Sequence, residues 1–361
     1  MRLIPDQDER DLASMCRSLL AAECPIAPHG ERLPAGLWKA LADAGILGLA
    51  IEERHGGSGG SLTDLGIFSV EAGRALCPTV VHSTAHAALA IEWLGGSDAR
   101  AAWLPALASG SARATTAVFS ARDAAVAPPL TARSDREGWR LSGVADFVAD
   151  ADLADLIVVT ADTDGGTLGC VVDAGARGIS VEPLAMMGGH HAFVVRFDDV
   201  AADQVAPVSA QQLRRVANAA VALLSLDLVG VGEAVVQRTV DYTKMREQFG
   251  RPIASFQAAQ HLVADMHIAL AAARLAAQSA VFWIGGGSTA TRETAIARMR
   301  AAAVKQITLD AHQLHGGMGY VVDTDLHLFS ERARVLSTIG GGADIAAKWL
   351  EGEMNWDGKM T

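Results

Sequence analysis

Residues 210–248 keep apolar side chains at helical spacing over many turns, and this run limits the possible folds more than any other feature. It stops at Gly250-Arg251-Pro252, where a glycine and a proline break the helical pattern. Helices of this length usually pack against one another as bundles, and such bundles often form the interfaces of oligomers. The sequence therefore predicts a helical bundle in its C-terminal part.

Further helices are predicted on either side of the middle of the chain. Residues 255–284, and then a segment from the capping residues Ser288 and Thr289 to about 314, extend the C-terminal bundle. Near the N-terminus, residues 8–22 and 37–47 have helical spacing, and a glycine-rich loop follows at 56–60. Only 5% of the residues are aromatic, and Ala and Leu are abundant, which favours a mainly helical protein.

The middle of the chain has a different pattern, in which short β-rich runs alternate with turn residues. These runs are 138–142, 156–160, 168–172, 178–182 and 192–197. Strands repeating at this spacing indicate a compact β sandwich or barrel. We therefore expect an α+β protein with a helical N-terminal domain (1–112), a central β-barrel or sandwich domain (113–205) and a C-terminal four-helix bundle (206–361).

Composition excludes several classes of function. The net charge is −11 and no basic run occurs, which argues against a nucleic acid partner. No stretch reaches 18 uninterrupted apolar residues and the N-terminus lacks the apolar segment of a signal peptide, so we expect a cytoplasmic protein without a membrane span. The four cysteines lack the spacing of metal ligands and are interpreted as buried free thiols: Cys16, Cys24, Cys77 and Cys170.

Two long motifs lie at the ends of predicted helices in the C-terminal region. The first is Arg246-Glu-Gln-Phe-Gly-Arg-Pro-Ile-Ala-Ser-Phe-Gln257, and the second is Gln313-Leu-His-Gly-Gly-Met-Gly-Tyr320. Both resemble the acyl-CoA dehydrogenase family, as do Ile46-Leu-Gly-Leu49 and Phe197-Asp-Asp-Val200 in the earlier regions. The resemblance covers almost the whole chain.

The resemblance implies a fold and a reaction. It implies the three domains given above, usually assembled as dimers of dimers, and the α,β-dehydrogenation of an acyl-CoA thioester. In that family a carboxylate takes the α-proton while a hydride leaves the β-carbon for the flavin N5. The cofactor would be FAD, and the electrons would pass to an electron-transfer flavoprotein.

The motifs also suggest which residues hold the cofactor. The Arg246 guanidinium offers several fixed donors to a pyrophosphate, and Gly316 and Gly317 allow backbone to come close to a dinucleotide. Taken singly, the arginine could be a surface charge and the glycines a turn. In family order, the candidate FAD-binding residues are Arg246, Phe249, Phe256, Gln257, Gln313, Gly316 and Gly317, with Ser120 and Phe147 beside the flavin ring.

The catalytic base that the family carries is missing. Alignment of the C-terminal motif places the family's glutamate on Gly340, and the alternative position used by some members falls near Ala220. Asp227 is the nearest acidic residue, and it is either a substitute base or a satisfied polar residue of the core. Asp323 and Asp344 are interpreted as turn or cap residues.

The losses follow a pattern that suggests a shared active site. In the family, the central domain and the catalytic loop serve the chain's own flavin, whereas the two C-terminal motifs reach a neighbour's. In this chain the family's segments that contact its own flavin are replaced. The replacing segments are Phe119-Ser-Ala-Arg-Asp-Ala124 and Phe147-Val-Ala149. We therefore expect a non-catalytic subunit that completes the FAD site of a homologous, glutamate-bearing partner, as in the α2β2 members that resemble this chain around Asp325-Leu-His-Leu328.

Two alternatives remain open at this point. The chain could be a self-sufficient dehydrogenase that uses Asp227, or a flavin-free scaffold or acyl-CoA-binding protein. Its acyl or steroid substrate cannot be inferred from the spacing of residues.

Overall fold

The N-terminal part of the fold is helical. The computed structural model describes residues 4–26, 32–136, 138–202 and 204–354. Capping boxes at Asp6 and Ser61 begin the first and third helices, because each side chain accepts a hydrogen bond from the backbone N–H three residues on. The five helices are α1 (Gln7–Glu23), α2 (Ala35–Asp43), α3 (Leu62–Arg74), α4 (Thr79–Leu94) and α5 (Ser97–Ala108).

The central part is one sheet of eight strands with the order β6-β7-β3-β2-β4-β5-β8, and β1 pairs with β4. The five predicted strands are confirmed, and three were missed: β1, β2 and β8. The strands are β1 (Ala114–Ala117), β2 (Leu130–Asp135), β3 (Gly138–Ala149), β4 (Leu156–Thr163), β5 (Gly166–Asp173), β6 (Ile179–Pro183), β7 (Ala192–Ala202) and β8 (Gln204–Pro207).

Helices return after the sheet, so the predicted α+β class is confirmed. They are α6 (Ala210–Met245), α7 (Gln257–Gly285), α8 (Thr291–Ala301), α9 (Val304–His315), α10 (Leu326–Leu336) and α11 (Ala343–Glu353), and the short strands β9 (Glu247–Gln248) and β10 (Arg251–Pro252) join α6 to α7. The helix predicted from 288 to 314 was wrong in one respect, because α8 and α9 are separate helices that meet at Ala302-Ala303. The exact domain boundaries stay a prediction.

Helices α3 and α6 cross with almost no side chain between them. A Cβ atom at Gly73 would lie 2.0 Å from the carbonyl oxygen of Asp227, and one at Gly230 would lie 1.9 Å from that of Val70. Glycine is therefore required at both positions, because any other residue would push the two backbones apart.

Helices α6 and α7 are each long and apolar enough to cross a membrane by length and composition. In α6 this reflects burial, since 83% of its most apolar window lies inside the fold. In α7 only 33% is buried, so its outer face presents apolar side chains. All four cysteines are free and buried, as predicted.

Candidate functional site

A cavity of about 110 Å³ lies between α4, α6 and the sheet. Its walls are mostly apolar and include Phe119, Leu223 and Ile339. The alternative base position, Ala220, lines it but brings no functional group. Ile339 also lines it and precedes Gly340, so the cavity adjoins the position at which the sequence predicts that the base is missing.

The turn that carries Gly340 is tied to the loop after β1. The Gly340 N–H donates to the carbonyl of Ala121 at 2.6 Å, and the Ala124 N–H donates to the carbonyl of Gly340 at 2.9 Å. A Cβ atom at Gly340 would lie 3.0 Å from Val221 Cγ2 and 3.5 Å from the Phe119 ring. Both backbone groups of Gly340 are therefore used internally, and the space where a side chain would begin is already lined.

The buried Arg298, on α8, is hydrogen-bonded to the same turn. Arg298 donates from Nε to the carbonyl of Gly341 at 2.9 Å and from Nη2 to the carbonyl of Ile339. Its side chain is fully buried, which lowers the pKa of the guanidinium to about 9. Arg298 fixes the turn through backbone carbonyls.

The two residues predicted beside the flavin ring take different places. Phe147 lines the cavity with φ of 54°, and the Arg122 guanidinium lies 5.9 Å from its ring centroid. Ser120 is not among the lining residues, and its hydroxyl accepts from the Arg122 N–H at 3.2 Å. Of the two, only Phe147 therefore lines the cavity.

The alternative base, Asp227, lies in a buried ion pair. Arg332 donates to its two carboxylate oxygens at 2.9 and 2.5 Å, and His82 Nε2 lies 2.7 Å from Oδ2. Burial raises the pKa of Asp227, but the Arg332 charge and the hydrogen bonds more than offset this, so the pKa is lowered overall. A carboxylate held this way is a weak proton acceptor, which argues against a role as base.

The other acidic candidates supply no base either. Asp344 is exposed in the first turn of α11, which fits a residue near a helix N-terminus. The side chain of Asp323 lies outside the described residues.

The other predicted cofactor residues gather on the outer surface. Tyr242 stacks on His315 at 4.3 Å and donates to its carbonyl, so the end of α6 adjoins the Gly316-Gly317 pair. Arg246, Gln257, Gln313 and Phe249 are exposed, and Phe249 has 93% of its surface accessible. A Cβ atom at Gly316 or Gly317 would meet nothing within 4 Å. Phe256 is half-buried, and its ring lies 6.2 Å from that of Phe249.

These two regions differ in their fit to FAD. The exposed residues of 246–257 and 313–317, here called the outer segment, offer side-chain donors and an open glycine pair. This suits a dinucleotide that approaches from outside. The inner cavity, of about 110 Å³, is smaller than the roughly 300–1,000 Å³ of typical ligand pockets, and Phe147 is the predicted flavin-side residue that lines it.

Three lining histidines were not predicted from the sequence: His82, His86 and His190. His82 and His86 are four residues apart on α4, so they lie on one face, and this spacing was the available signal. His86 is buried between Thr116 Oγ1 at 3.1 Å and the Val216 carbonyl at 3.2 Å. Burial lowers the pKa of His86 to about 4.

Comparison with known proteins identifies the family. The family model for the acyl-CoA dehydrogenase N-terminal domain matches residues 6–111, and that for the C-terminal domain matches residues 212–350. The chain belongs to the acyl-CoA dehydrogenase family. It is 32% identical to acyl-CoA dehydrogenase IpdE2 of Mycobacterium tuberculosis over 299 residues, which are 82% of this chain and 80% of that protein.

Solved structures of the family share the whole fold. The steroid acyl-CoA dehydrogenase Tcur3481-Tcur3483, solved as a G363A variant, superposes with a TM-score of 0.88 at 30% identity, covering 96% of this chain and 98% of its own. The ChsE4-ChsE5 complex from Mycobacterium tuberculosis gives a TM-score of 0.90 at 26% identity, covering 99% of both chains. The chain is thus an actinobacterial-type member of this flavoprotein oxidoreductase family.

Proposed function

We propose that this chain is the non-catalytic subunit of a hetero-oligomeric acyl-CoA dehydrogenase. It would complete the FAD site of a homologous partner that carries the catalytic glutamate, in the α,β-dehydrogenation of an acyl-CoA thioester. The observation that carries the proposal is the turn at Gly340, where the base position has no side chain and both backbone groups are bonded to the loop at Ala121–Ala124.

Loss of the base has a quantitative consequence. A positioned proton acceptor contributes roughly 10²–10⁴-fold to the rate of such a step. Neither Gly340 nor Ala220 supplies one, and Asp227 is held by Arg332. The chain's own cavity is therefore not suited to dehydrogenation.

The outer segment supports a role toward a neighbour. Arg246 would pair with a pyrophosphate, the open Gly316-Gly317 backbone would approach it, and Gln257 and Gln313 would bond polar edges of the nucleotide. When bound, FAD supplies the acceptor for the hydride. Exposed polar groups beside the apolar Phe249 ring suit a surface that meets a second subunit.

The names of the similar structures support the same assembly. Both Tcur3481-Tcur3483 and ChsE4-ChsE5 are named as pairs of different chains, and the first is described as a steroid enzyme. We extend this to a glutamate-bearing partner, to a steroid or lipid acyl-CoA substrate, and to an electron-transfer flavoprotein as electron acceptor. A cytoplasmic location is the corresponding expectation.

The test is to express the chain alone and together with a glutamate-bearing homologue, and to measure bound flavin and acyl-CoA turnover. We expect flavin and turnover in the complex and no turnover in the chain alone. Full flavin and turnover in the chain alone would exclude the partner role. An absence of flavin absorbance in both samples would favour a flavin-free scaffold.

Two variants test whether Arg246 of this chain contributes to flavin binding in the complex. In the complex, Arg246→Ala should lower the flavin content while the complex stays assembled. Arg177→Ala, which removes an exposed arginine from the loop between β5 and β6, should leave the flavin content unchanged. Equal flavin content in both variants would contradict the assignment of Arg246.

A further inference from the structure

His312 is a buried histidine that lies beside the turn with the two open glycines. This turn is the short 3₁₀ helix Gly316–Tyr320, and it follows α9 directly. A Cβ atom at Gly316 or Gly317 would meet nothing within 4 Å, whereas Gly319 is buried. The contacts that fix the buried end of the turn therefore also set the position of its open end.

Both ring nitrogens of His312 are engaged. Nδ1 lies 2.6 Å from the carbonyl oxygen of Gly319, and Nε2 lies 2.6 Å from Ser330 Oγ on α10. Because a carbonyl oxygen only accepts hydrogen bonds, Nδ1 carries the hydrogen and donates it. In the neutral ring, Nε2 then accepts from the Ser330 hydroxyl. The imidazole thus links the glycine turn to α10 through one defined tautomer.

Two further contacts join the turn to α9. A Cβ atom at Gly319 would lie 2.8 Å from the carbonyl oxygen of His312, so the turn packs directly on the backbone of the helix. The Tyr320 ring stacks on the His312 ring with their centroids 5.1 Å apart, although 78% of the Tyr320 surface is exposed. His312 is therefore in contact with both the backbone and a side chain of the turn.

We propose that His312 and Ser330 are positioning residues that hold the glycine turn in the conformation that receives a dinucleotide. This inference rests on the proposed function, in which Gly316 and Gly317 approach the pyrophosphate of a partner's FAD. His312 and Ser330 are themselves buried, so they act through the Gly319 carbonyl. Without the donor at Nδ1, this carbonyl would be left unpaired, and the turn would move to bring it to water.

Two substitutions of His312 separate the hydrogen bond from packing. His312→Asn keeps an N–H donor close to the place of Nδ1, whereas His312→Leu keeps apolar bulk and has no donor. Both variants lose the stacking with Tyr320 and the bond to Ser330, so the comparison isolates the donor to Gly319. Packing alone makes leucine the milder change, because it leaves the smaller cavity. The proposal predicts the opposite order.

The first experiment measures FAD binding by the complex with the glutamate-bearing homologue. FAD is titrated into the flavin-free complex below its melting temperature, and the dissociation constant is obtained from the change in flavin fluorescence. We expect His312→Leu to raise this constant about tenfold or more, and His312→Asn to raise it by less than about threefold.

The second experiment measures the turn itself, without flavin. Hydrogen–deuterium exchange is followed by mass spectrometry in peptides that contain residues 316–321. Deuterium uptake should be faster in His312→Leu than in His312→Asn, while uptake in α1 should stay the same in both variants.

A pair of serine variants tests the same link if the histidine variants do not fold. Ser330→Ala removes the donor to Nε2, and we expect it to raise the FAD dissociation constant about threefold or more. Ser225→Ala is the matched control, because this buried hydroxyl on α6 donates to the Val221 carbonyl of its own helix at 2.7 Å. The control should leave the constant unchanged.

Equal FAD dissociation constants in His312→Leu and His312→Asn, or in the two serine variants, would overturn the inference. Unchanged deuterium uptake in His312→Leu would do the same. These results would leave the proposed function intact as long as the wild-type complex binds FAD. A wild-type complex that binds no FAD would refute the proposed function, and this inference with it.

Discussion

The amide of Gly340 donates to the carbonyl of Ala121 at 2.6 Å, so the turn at the base position and the loop after β1 are joined through their backbones. Gly340 has φ of +75°, a left-handed conformation that glycine adopts readily and other residues do not. The position at which the sequence predicts the missing base therefore has a backbone geometry that suits a glycine.

Restoring the glutamate alone should not restore a dehydrogenase. In Gly340→Glu the new Cβ atom would lie 3.0 Å from Val221 Cγ2, and the left-handed backbone adds about 1–2 kcal/mol of strain. We expect a lower melting temperature and no acyl-CoA turnover in the chain alone. Gly340→Ala is the control for the backbone effect and should be destabilised without any change in activity. Turnover in the glutamate variant would show that the base was the only missing element.

Removing Asp227 should act on stability. In Asp227→Asn the largely buried Arg332, whose side chain is 10% exposed, loses its anion, which costs about 3–5 kcal/mol when one partner of a buried pair is removed. Chemical denaturation should show this loss. A base would behave differently, since turnover in the complex would fall while the free energy of unfolding stayed the same.

Arg298 should be essential to the turn even though it pairs with no carboxylate among the described residues. Arg298→Ala leaves the carbonyls of Ile339 and Gly341 without their donor and opens a cavity, so we expect a loss of about 2–4 kcal/mol in the free energy of unfolding. The exposed neighbour Arg300, on the same helix, offers the matched control. Arg300→Ala should change stability by less than about 0.5 kcal/mol, and equal effects would contradict the role of Arg298.

The buried His86 should make the protein less stable in mild acid. Its pKa is about 4 in the folded state against the usual 6.5 of a histidine, so between these values the unfolded state binds more protons. The stability present above pH 6.5 should fall as the pH drops to 4, by about 3 kcal/mol in total for this residue. Denaturation curves across this range should be flatter in His86→Gln, and parallel curves would refute the assignment.

The outer face of α7 should be an interface between subunits. Ile268, Leu275 and Phe282 are spaced by seven residues and are 66%, 46% and 39% exposed. Leu275→Glu should lower the oligomeric state in light scattering without changing the melting temperature. Met15→Glu, at another exposed apolar position on α1, should leave the assembly unchanged.

Local patterns predicted most of the fold. The long helices follow from apolar spacing, and five of the strands follow from β-rich runs that alternate with turns. The break at Ala302-Ala303 was missed because alanine favours helix on both sides of it, so tertiary packing decides the boundary. Strand β1 has only four residues, Ala114–Ala117, and its pairing with β4 is not a local property.

The candidate site divides in the same way. The outer segment consists of contiguous motifs, so the sequence predicted which residues it contains. The inner cavity depends on contacts between distant residues, such as Gly340 with Ala121 and His82 with Asp227, and spacing along the chain gives no signal for these pairs. The absence of a side chain at Gly340 is visible in the sequence, whereas the hydrogen bonds that tie its turn to Ala121 and Ala124 are not.

The close approach of α3 to α6 at Gly73 and Gly230 has a mechanical consequence. Two helices that meet backbone to backbone have no layer of rotatable side chains through which one can slide over the other. Helices α3 and α6 should therefore behave as a single rigid wall of the cavity. Any widening to admit a ligand must therefore come from the opposite side, where the sheet and its loops line the cavity.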